Sequence, residues 1–251
     1  MTPPLPNDAT FLLVQARRPD DRMLVHERSC FARALGVAEE HVATVNLLEG
    51  EVPASSLEAH PLVLVGGSGD FSVTGDEPWL PRMFSFLKNV ALEQKKPLFG
   101  SCFGFQALVV AAGGEVITDL DRSEVGTFDI LVSPEGARDP LFAGAPGRFL
   151  AQLGHKDRAT RVPSSLVPLA FSEKCPYQAV RVRDSQCVAT QFHPELTKED
   201  TTYRYLTYLE AYQLAVPSPG QPDPVLDGFK DSPESTALLR RWAHQALRSL
   251  G

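Results

Sequence analysis

Short apolar runs alternate along the first half of the chain with segments whose apolar residues recur at helical spacing. The runs predict buried strands at residues 10–15, 43–48, 61–65 and 97–99. The intervening segments predict helices at 23–35 and 79–93, and a third helix that begins after Gly104 and ends at Gly113-Gly114. Almost wholly apolar strands that alternate with helices indicate an α/β fold, with a parallel sheet covered on both faces.

The pattern changes between residues 115 and 183. Short apolar runs at 128–132, 148–152, 167–171 and 177–182 are separated by Pro, Gly and Asp turns. Closely spaced strands of this kind predict hairpins, so we expect an added antiparallel strand region beside a mostly parallel central sheet.

The last fifth of the chain predicts two helices joined by a linker. The first, at 201–214, carries a tyrosine stripe that we interpret as packing and surface, formed by Tyr203, Tyr205, Tyr208 and Tyr212. Proline-rich residues 216–224 have the composition of a linker, and Ser232-Pro233-Glu234 is typical of a helix start. The predicted organisation is a loose terminus at 1–9, a domain at 10–214, a linker at 215–231 and a C-terminal helix at 232–251. That helix either packs back on the domain or forms a homodimer contact.

One candidate nucleophile stands between a predicted strand and a predicted helix. Cys102 is the centre of Gly100-Ser101-Cys102-Phe103-Gly104, in which small residues flank the cysteine at a distance of two positions. A sharp strand-to-helix elbow needs such neighbours, and it directs the helix N-terminus at the sulfur, which favours the thiolate. The alternative is a buried cysteine in an ordinary helix-capping turn.

A second polar group ends a later apolar strand. In Gln191-Phe192-His193-Pro194-Glu195, the proline disfavours helix at His193 and keeps the chain extended. Residues i and i+2 of an extended chain point to the same side, so His193 and Glu195 can face one another. A carboxylate beside an imidazole is the base and orienter pair of a nucleophilic triad. Taken alone, the motif also fits a surface turn.

Together these motifs resemble the class I (triad) glutamine amidotransferases, in particular the glutaminase domains related to GMP synthase. The resemblance covers about residues 10 to 210 and implies a flavodoxin-like three-layer sandwich. It also implies that Cys102, His193 and Glu195 are the catalytic triad and that Gln106 contacts the substrate. Gly154-His155-Lys156-Asp157 matches a family segment near the glutamine site, where relatives often have Gly in place of Lys156. His155 and Asp157 are therefore secondary candidates for substrate binding.

A glycine loop follows the strand at 61–65. Gly66-Gly67-Ser68-Gly69 lacks the spacing and the Lys-Ser/Thr ending of a phosphate-binding loop. A tetrahedral intermediate on Cys102 needs two backbone N–H donors, and the natural pair is the N–H of Phe103 and one from this loop. By position, the family resemblance implies Gly67 as that donor and Gly69 as a lining residue of the site. A simple turn is the alternative.

Composition narrows the functional classes. The net charge of −7 argues against a surface that binds nucleic acid. No apolar stretch approaches the length of a membrane span. The N-terminus lacks the features of a signal peptide, so we expect a cytosolic protein. The four cysteines show no Cys-x-x-Cys spacing, and nothing in the sequence requires a metal or an organic cofactor. We interpret Cys30, Cys175 and Cys187 as small buried or partly exposed apolar residues.

The expected activity is hydrolysis of the side-chain amide of L-glutamine, or of a γ-glutamyl bond, through a γ-glutamyl thioester. The 251 residues leave no room for a synthetase domain. The ammonia therefore passes to a partner synthetase, or the chain works alone as a γ-glutamyl peptidase. A catalytically silent binding subunit is a third possibility, against which the intact Cys102, His193 and Glu195 argue. Related cysteine-elbow proteases and chaperones fit the elbow but not the His-Pro-Glu motif.

Overall fold

The apolar runs form strands close to their predicted positions. In the computed structural model, which describes residues 3–209 and 223–250, the strands are β1 (Phe11–Gln15), β2 (Val42–Asn46), β3 (Leu62–Val65), β4 (Leu98–Ser101), β5 (Glu115–Thr118), β6 (Glu124–Val132), β7 (Arg148–His155), β8 (Asp157–Arg161), β9 (Leu166–Phe171), β10 (Ala179–Val182) and β11 (Val188–Thr190).

Nine of these strands form one sheet in the order β2-β1-β3-β4-β11-β10-β9-β6-β7. The first five in that order run parallel, and the other four pair antiparallel. Strands β5 and β8 form a separate antiparallel pair. The α/β class and the largely parallel central sheet are therefore confirmed, and most of the predicted antiparallel region continues the same sheet.

Helices cover both faces of the sheet. They are α1 (Met23–Leu35), α2 (Ala54–Ala59), α3 (Leu80–Leu87), α4 (Phe103–Ala111), α5 (Lys198–Thr207), α6 (Pro224–Asp227) and α7 (Pro233–Leu250). Alternate residues of β1 point to opposite faces, so Phe11 and Leu13 join a core with α1 and α7, whereas Leu12 and Val14 join a core with α3 and α4. No helix in the described ranges is long and apolar enough to cross a membrane.

The C-terminal helix α7 packs back on the domain. Trp242 is fully buried and meets the ring of Phe99 in β4 at a centroid distance of 5.4 Å. At the other end of the chain, Leu5 and Ala9 are buried in the same core. These contacts attach both termini of the described chain to the layer formed by α1 and α7.

Two helices differ from their predicted bounds by three residues or more. The segment predicted as one helix at 79–93 is α-helical only over α3, and Lys88–Glu93 is π-helical. Helix α5 begins three residues before the predicted start, because Thr197 and Asp200 form a capping box. Residues 210–214 of that predicted helix, which include Tyr212, and 215–222 of the predicted linker lie outside the described residues.

Candidate active site

Cys102 occupies a strained elbow between β4 and α4. Its φ of 51° and ψ of −96° lie in a region that non-glycine residues rarely adopt. The elbow is held by the Cys102 N–H, which donates to the Thr190 carbonyl at 2.8 Å. A Cβ added at Gly104 would lie 2.7 Å from the Val65 carbonyl oxygen, so only glycine lets α4 start this close to β3. The predicted need for small neighbours therefore has a structural cause.

The chain after β11 brings the second group to the elbow. Nδ1 of His193 lies 2.6 Å from Oε1 of Glu195, as the extended His-Pro-Glu motif predicts. The other carboxylate oxygen accepts a hydrogen bond of 2.8 Å from the Ser101 hydroxyl. The Gln191 amide donates toward the Cys102 sulfur at 3.7 Å. Cysteine, imidazole and carboxylate thus share one buried site at the carboxyl ends of β4 and β11.

His193 and Glu195 are electrostatically coupled. Burial alone would lower the pKa of His193, but the Glu195 carboxylate and Cys102 outweigh burial and raise that pKa to about 9. Burial alone would raise the pKa of Glu195, but His193 and the nearby Arg204 guanidinium lower it. At neutral pH the favoured state is therefore an imidazolium beside a carboxylate.

The glycine loop lies beside the imidazole. A Cβ added at Gly67 would be 3.0 Å from Cε1 of His193 and 3.9 Å from Cβ of Cys102. The Gly67 N–H, however, donates to the buried Glu27 carboxylate at 3.0 Å. Phe103 is the first residue of α4, where backbone N–H groups have no partner within the helix. Of the two predicted oxyanion donors, the one from the loop is thus engaged with Glu27 in this structure.

The other predicted site residues line one narrow cavity with Cys102 and Phe103. Gly69, Gln106, His155 and Asp157 all belong to its wall, as does Lys156. The Gln106 amide and Nδ1 of His155 both lie within hydrogen-bond distance of the Asp157 carbonyl, at 2.9 and 3.0 Å.

The Asp157 side chain connects the cavity to the glycine loop. Its two carboxylate oxygens accept hydrogen bonds from Ser72 at 2.5 Å and from Thr118 at 2.6 Å. Ser72 follows the glycine loop and Thr118 ends β5. The carboxylate therefore joins the cavity wall to the segment after the glycine loop and to the end of β5.

Two groups in the described part of the chain have three metal-binding side chains whose ligand atoms lie within 4.8 Å of one another. They are Glu124, His155 and Cys175, and His26, Cys30 and Asp200. Each contains an imidazole in contact with a carboxylate, His155 with Glu124 at 3.1 Å and His26 with Asp200 at 3.2 Å. Burial raises the pKa of Cys175 and raises that of Cys30 to about 12, which favours the protonated thiol at both positions. Cys187 is buried as well, as predicted for all three.

A sequence model of the family "Glutamine amidotransferase class-I" matches residues 32–209, which include the elbow, the cavity wall and the His-Pro-Glu motif. The chain belongs to this family. This match confirms the family resemblance carried by the motifs. Members of the family are glutaminase-type thiol hydrolases.

Relatives of this amidotransferase include a subunit of the glutamine-hydrolysing GMP synthase of Methanococcus maripaludis, with 30% identity over 173 residues, which are 69% of this chain and 82% of the relative. GMP synthase of Thermosipho africanus is 32% identical over 139 residues, or 55% of this chain, but this match spans only 25% of that longer protein. A solved glutamine amidotransferase from Thermotoga maritima has the same fold, with a TM-score of 0.70 and 20% identity over 95% of this chain and 98% of that one.

Several polar residues around the amidotransferase site were not singled out from the sequence. Ser101 and Gln191 stand within the quoted motifs, so their proximity to Cys102 and His193 could have been inferred. The positions of Glu27 and Arg204 could not have been inferred, because a charged residue on a predicted helix is expected at the surface. In the fold, Glu27 is fully buried and Arg204 is 5% exposed.

Proposed function

We propose that this chain hydrolyses the side-chain amide of glutamine, or a γ-glutamyl bond, through a triad of Cys102, His193 and Glu195. The observation that carries the proposal is the 2.6 Å contact between Nδ1 of His193 and Glu195, placed beside an elbow cysteine that faces a cavity. This is the nucleophile, base and orienter arrangement of covalent thiol catalysis.

The proposed reaction has two halves. The Cys102 thiolate attacks the amide carbonyl, and as the tetrahedral intermediate collapses the C–N bond breaks while His193 gives its proton to the departing nitrogen. A γ-glutamyl thioester and ammonia, or an amine, result. His193 then takes a proton from water as the oxygen attacks the thioester, and glutamate leaves with the thiolate restored. Glu195 holds the imidazole in one orientation throughout.

The oxyanion requires donors at the carbonyl oxygen. The Phe103 N–H at the start of α4 is one, and its helix N-terminus also favours negative charge. The Gly67 N–H can be the second only after it leaves Glu27, to which it now donates. The proposed cycle therefore includes a rotation of the peptide between Gly66 and Gly67. Without one donor, the barrier rises by about 3 kcal/mol.

The cavity wall suggests how the substrate is held. Gly69, Gln106, His155 and Asp157 surround the space beside Cys102, so we assign them to substrate binding. Because Gln106 and His155 are fixed by the same carbonyl, they form a preorganised wall.

The nitrogen released from the substrate either passes to a partner synthetase as ammonia or leaves as a free amine. The Methanococcus relatives, which are named as subunits of a glutamine-hydrolysing GMP synthase, suggest a synthetase partner for this chain. A specific observation favours a stand-alone γ-glutamyl peptidase as the second candidate, since Lys156 lies in the wall of the cavity. A lysine at this position suits the carboxylate of a residue attached beyond the γ-glutamyl bond.

Glutamate release by the purified chain tests the proposal. L-glutamine and a γ-glutamyl dipeptide are compared, with Cys102→Ala as the inactive variant. Cys187→Ala is the matched control, because it removes a buried cysteine that does not line the cavity. We expect turnover by the wild type and by Cys187→Ala, and none by Cys102→Ala.

The choice of substrate separates the two candidates. Release from the dipeptide supports the peptidase, whereas release from glutamine alone supports a synthetase-dependent amidotransferase. If neither substrate turns over, alkylation by iodoacetamide followed by mass spectrometry decides the role of the thiol. A Cys102 that reacts no faster than the buried Cys187 would contradict the catalytic assignment.

A further inference from the structure

Arg204 brings a buried positive charge to the back of the proposed triad. It lies on α5 and is 5% exposed. Its Nη1 is 3.7 Å from Oε1 of Glu195, and its Nη2 is 4.0 Å from Oε1 of Glu27. Nε and Nη2 make no hydrogen bond to any group within residues 3–209 and 223–250. The guanidinium thus acts on Glu195 through its charge rather than through a hydrogen-bonded fork.

We propose that Arg204 is a positioning residue of the hydrolysis, whose charge balances Glu195 while His193 cycles between its protonated and neutral forms. The inference rests on the proposed function, because it assigns a role to the same triad. Arg204 does not line the cavity beside Cys102, so we assign it an effect through Glu195 rather than through contact with the substrate.

The need for such a charge follows from the burial of Glu195. An isolated carboxylate at a fully buried site is strongly disfavoured. While His193 is protonated, the imidazolium 2.6 Å away neutralises it. When His193 gives its proton to the leaving nitrogen, that balance is lost and Arg204 is the nearest remaining cation. Arg204 therefore lowers the free energy of the neutral-imidazole state and makes His193 a better acid.

Other charges near Glu195 do not replace Arg204. Ser101, which also bonds to this carboxylate, is neutral. The titratable and charged groups that face the cluster from the neighbouring elements are His193, Cys102, Cys30, Glu27, Arg17, Tyr208, Asp21, Asp200 and Arg33, and Arg33 is paired with Asp200. Arg17 is committed to Glu27 through two hydrogen bonds, at 2.9 and 3.1 Å. Glu27 consequently keeps a cation when Arg204 is replaced, whereas Glu195 keeps none once His193 has given up its proton.

Loss of the Arg204 charge should change the pKa of His193 in a defined direction. A nearby cation disfavours proton binding, so its removal raises the pKa of the imidazolium. In Arg204→Met we expect the alkaline limb of the kcat profile to move upward by about one pH unit and kcat at pH 7.5 to fall about tenfold. KM should stay within a factor of two, because the cavity wall is unchanged. Arg204→Lys should restore both the limb and kcat, since charge rather than hydrogen bonding is required.

The test compares wild type, Arg204→Met and Arg204→Lys in glutamate release over pH 6 to 10, with an NMR titration of His193 on the same proteins. Arg240→Met is the matched control, because it removes a helix arginine that bonds to the Leu35 carbonyl away from the cavity. An unshifted His193 titration in Arg204→Met, or an Arg204→Lys variant that behaves like Arg204→Met, would overturn the inference. The titration does not depend on turnover, so a Cys102 that reacts no faster than Cys187 would contradict the proposed function and leave this test intact.

Discussion

Replacing Glu195 by glutamine gives a quantitative test of the electrostatic pair at the site. In the folded protein the pKa of His193 is raised from its ordinary value of 6.5 to about 9, although burial opposes the change. At about 1.4 kcal/mol per pH unit, this difference corresponds to about 3 kcal/mol in favour of the imidazolium. Without the carboxylate, burial becomes the main influence. We therefore expect His193 in Glu195→Gln to titrate below about pH 7.

The assay is an NMR titration of the ring signals of the chain's six histidines. His193→Asn identifies the signal of interest. Glu124→Gln is a matched control, because it removes the carboxylate that lies 3.1 Å from another buried histidine, His155. In this control His193 should still titrate near pH 9. A wild-type His193 that titrates near 6.5, or a Glu195→Gln variant that titrates near 9, would refute the assigned coupling.

The same shift makes a prediction for stability. A raised pKa means that the native state binds more protons than the unfolded state between pH 6.5 and about 9. The contribution of His193 is therefore complete below pH 6.5 and is lost as the pH rises through 9. Denaturant unfolding at pH 6 and pH 9.5 should show this loss in the wild type and a much smaller one in Glu195→Gln. Equal losses in both proteins would argue against a shifted His193.

Three further substitutions test other parts of the architecture. Gly104→Ala should lower the free energy of unfolding by about 1–3 kcal/mol in a denaturant assay, because the added Cβ would meet a β3 carbonyl. Gly147→Ala should be nearly neutral in the same assay, because a Cβ added there has no atom within 4 Å. Trp242→Ala should cost about 3–5 kcal/mol, since it empties the α7 core, and a loss below 1 kcal/mol would mean that α7 is not anchored there. Ser72→Ala removes a hydrogen bond to Asp157 in the cavity wall and should raise KM roughly fivefold with little change in melting temperature. An unchanged KM would contradict the assigned role of this wall.

The motifs around Cys102 and His193 were predictable because local rules govern them. A glycine two residues from a cysteine signals a tight elbow, and a proline after histidine keeps the chain extended. Both inferences concern residues within a few positions of one another, for which backbone sterics decide the geometry. The helix at α1 was predicted with its observed bounds for the same reason, since Gly36 ends it in a left-handed conformation.

The charged residues that surround Cys102, His193 and Glu195 could not be predicted from such local rules. Glu27 and Arg204 stand on helices far apart in the sequence, and each is buried only because α1 and α5 come close to the ends of the parallel strands. The Gly67 N–H was expected to face the oxyanion, but no pattern in the sequence indicates a buried carboxylate that competes for it. Such pairings depend on tertiary packing, which a single sequence does not specify.

The position of β4 has a consequence for how the chain acquires its shape during synthesis. Its neighbour on one side is β3, which precedes it closely, but its neighbour on the other side is β11, made only after the intervening antiparallel strands. A growing chain that ends before residue 188 leaves the apolar β4 with an open edge, where backbone groups can pair with another chain. The elbow around Cys102 thus precedes its histidine by most of a domain. Formation of β11 therefore both covers this exposed edge and brings His193 to the cavity beside Cys102.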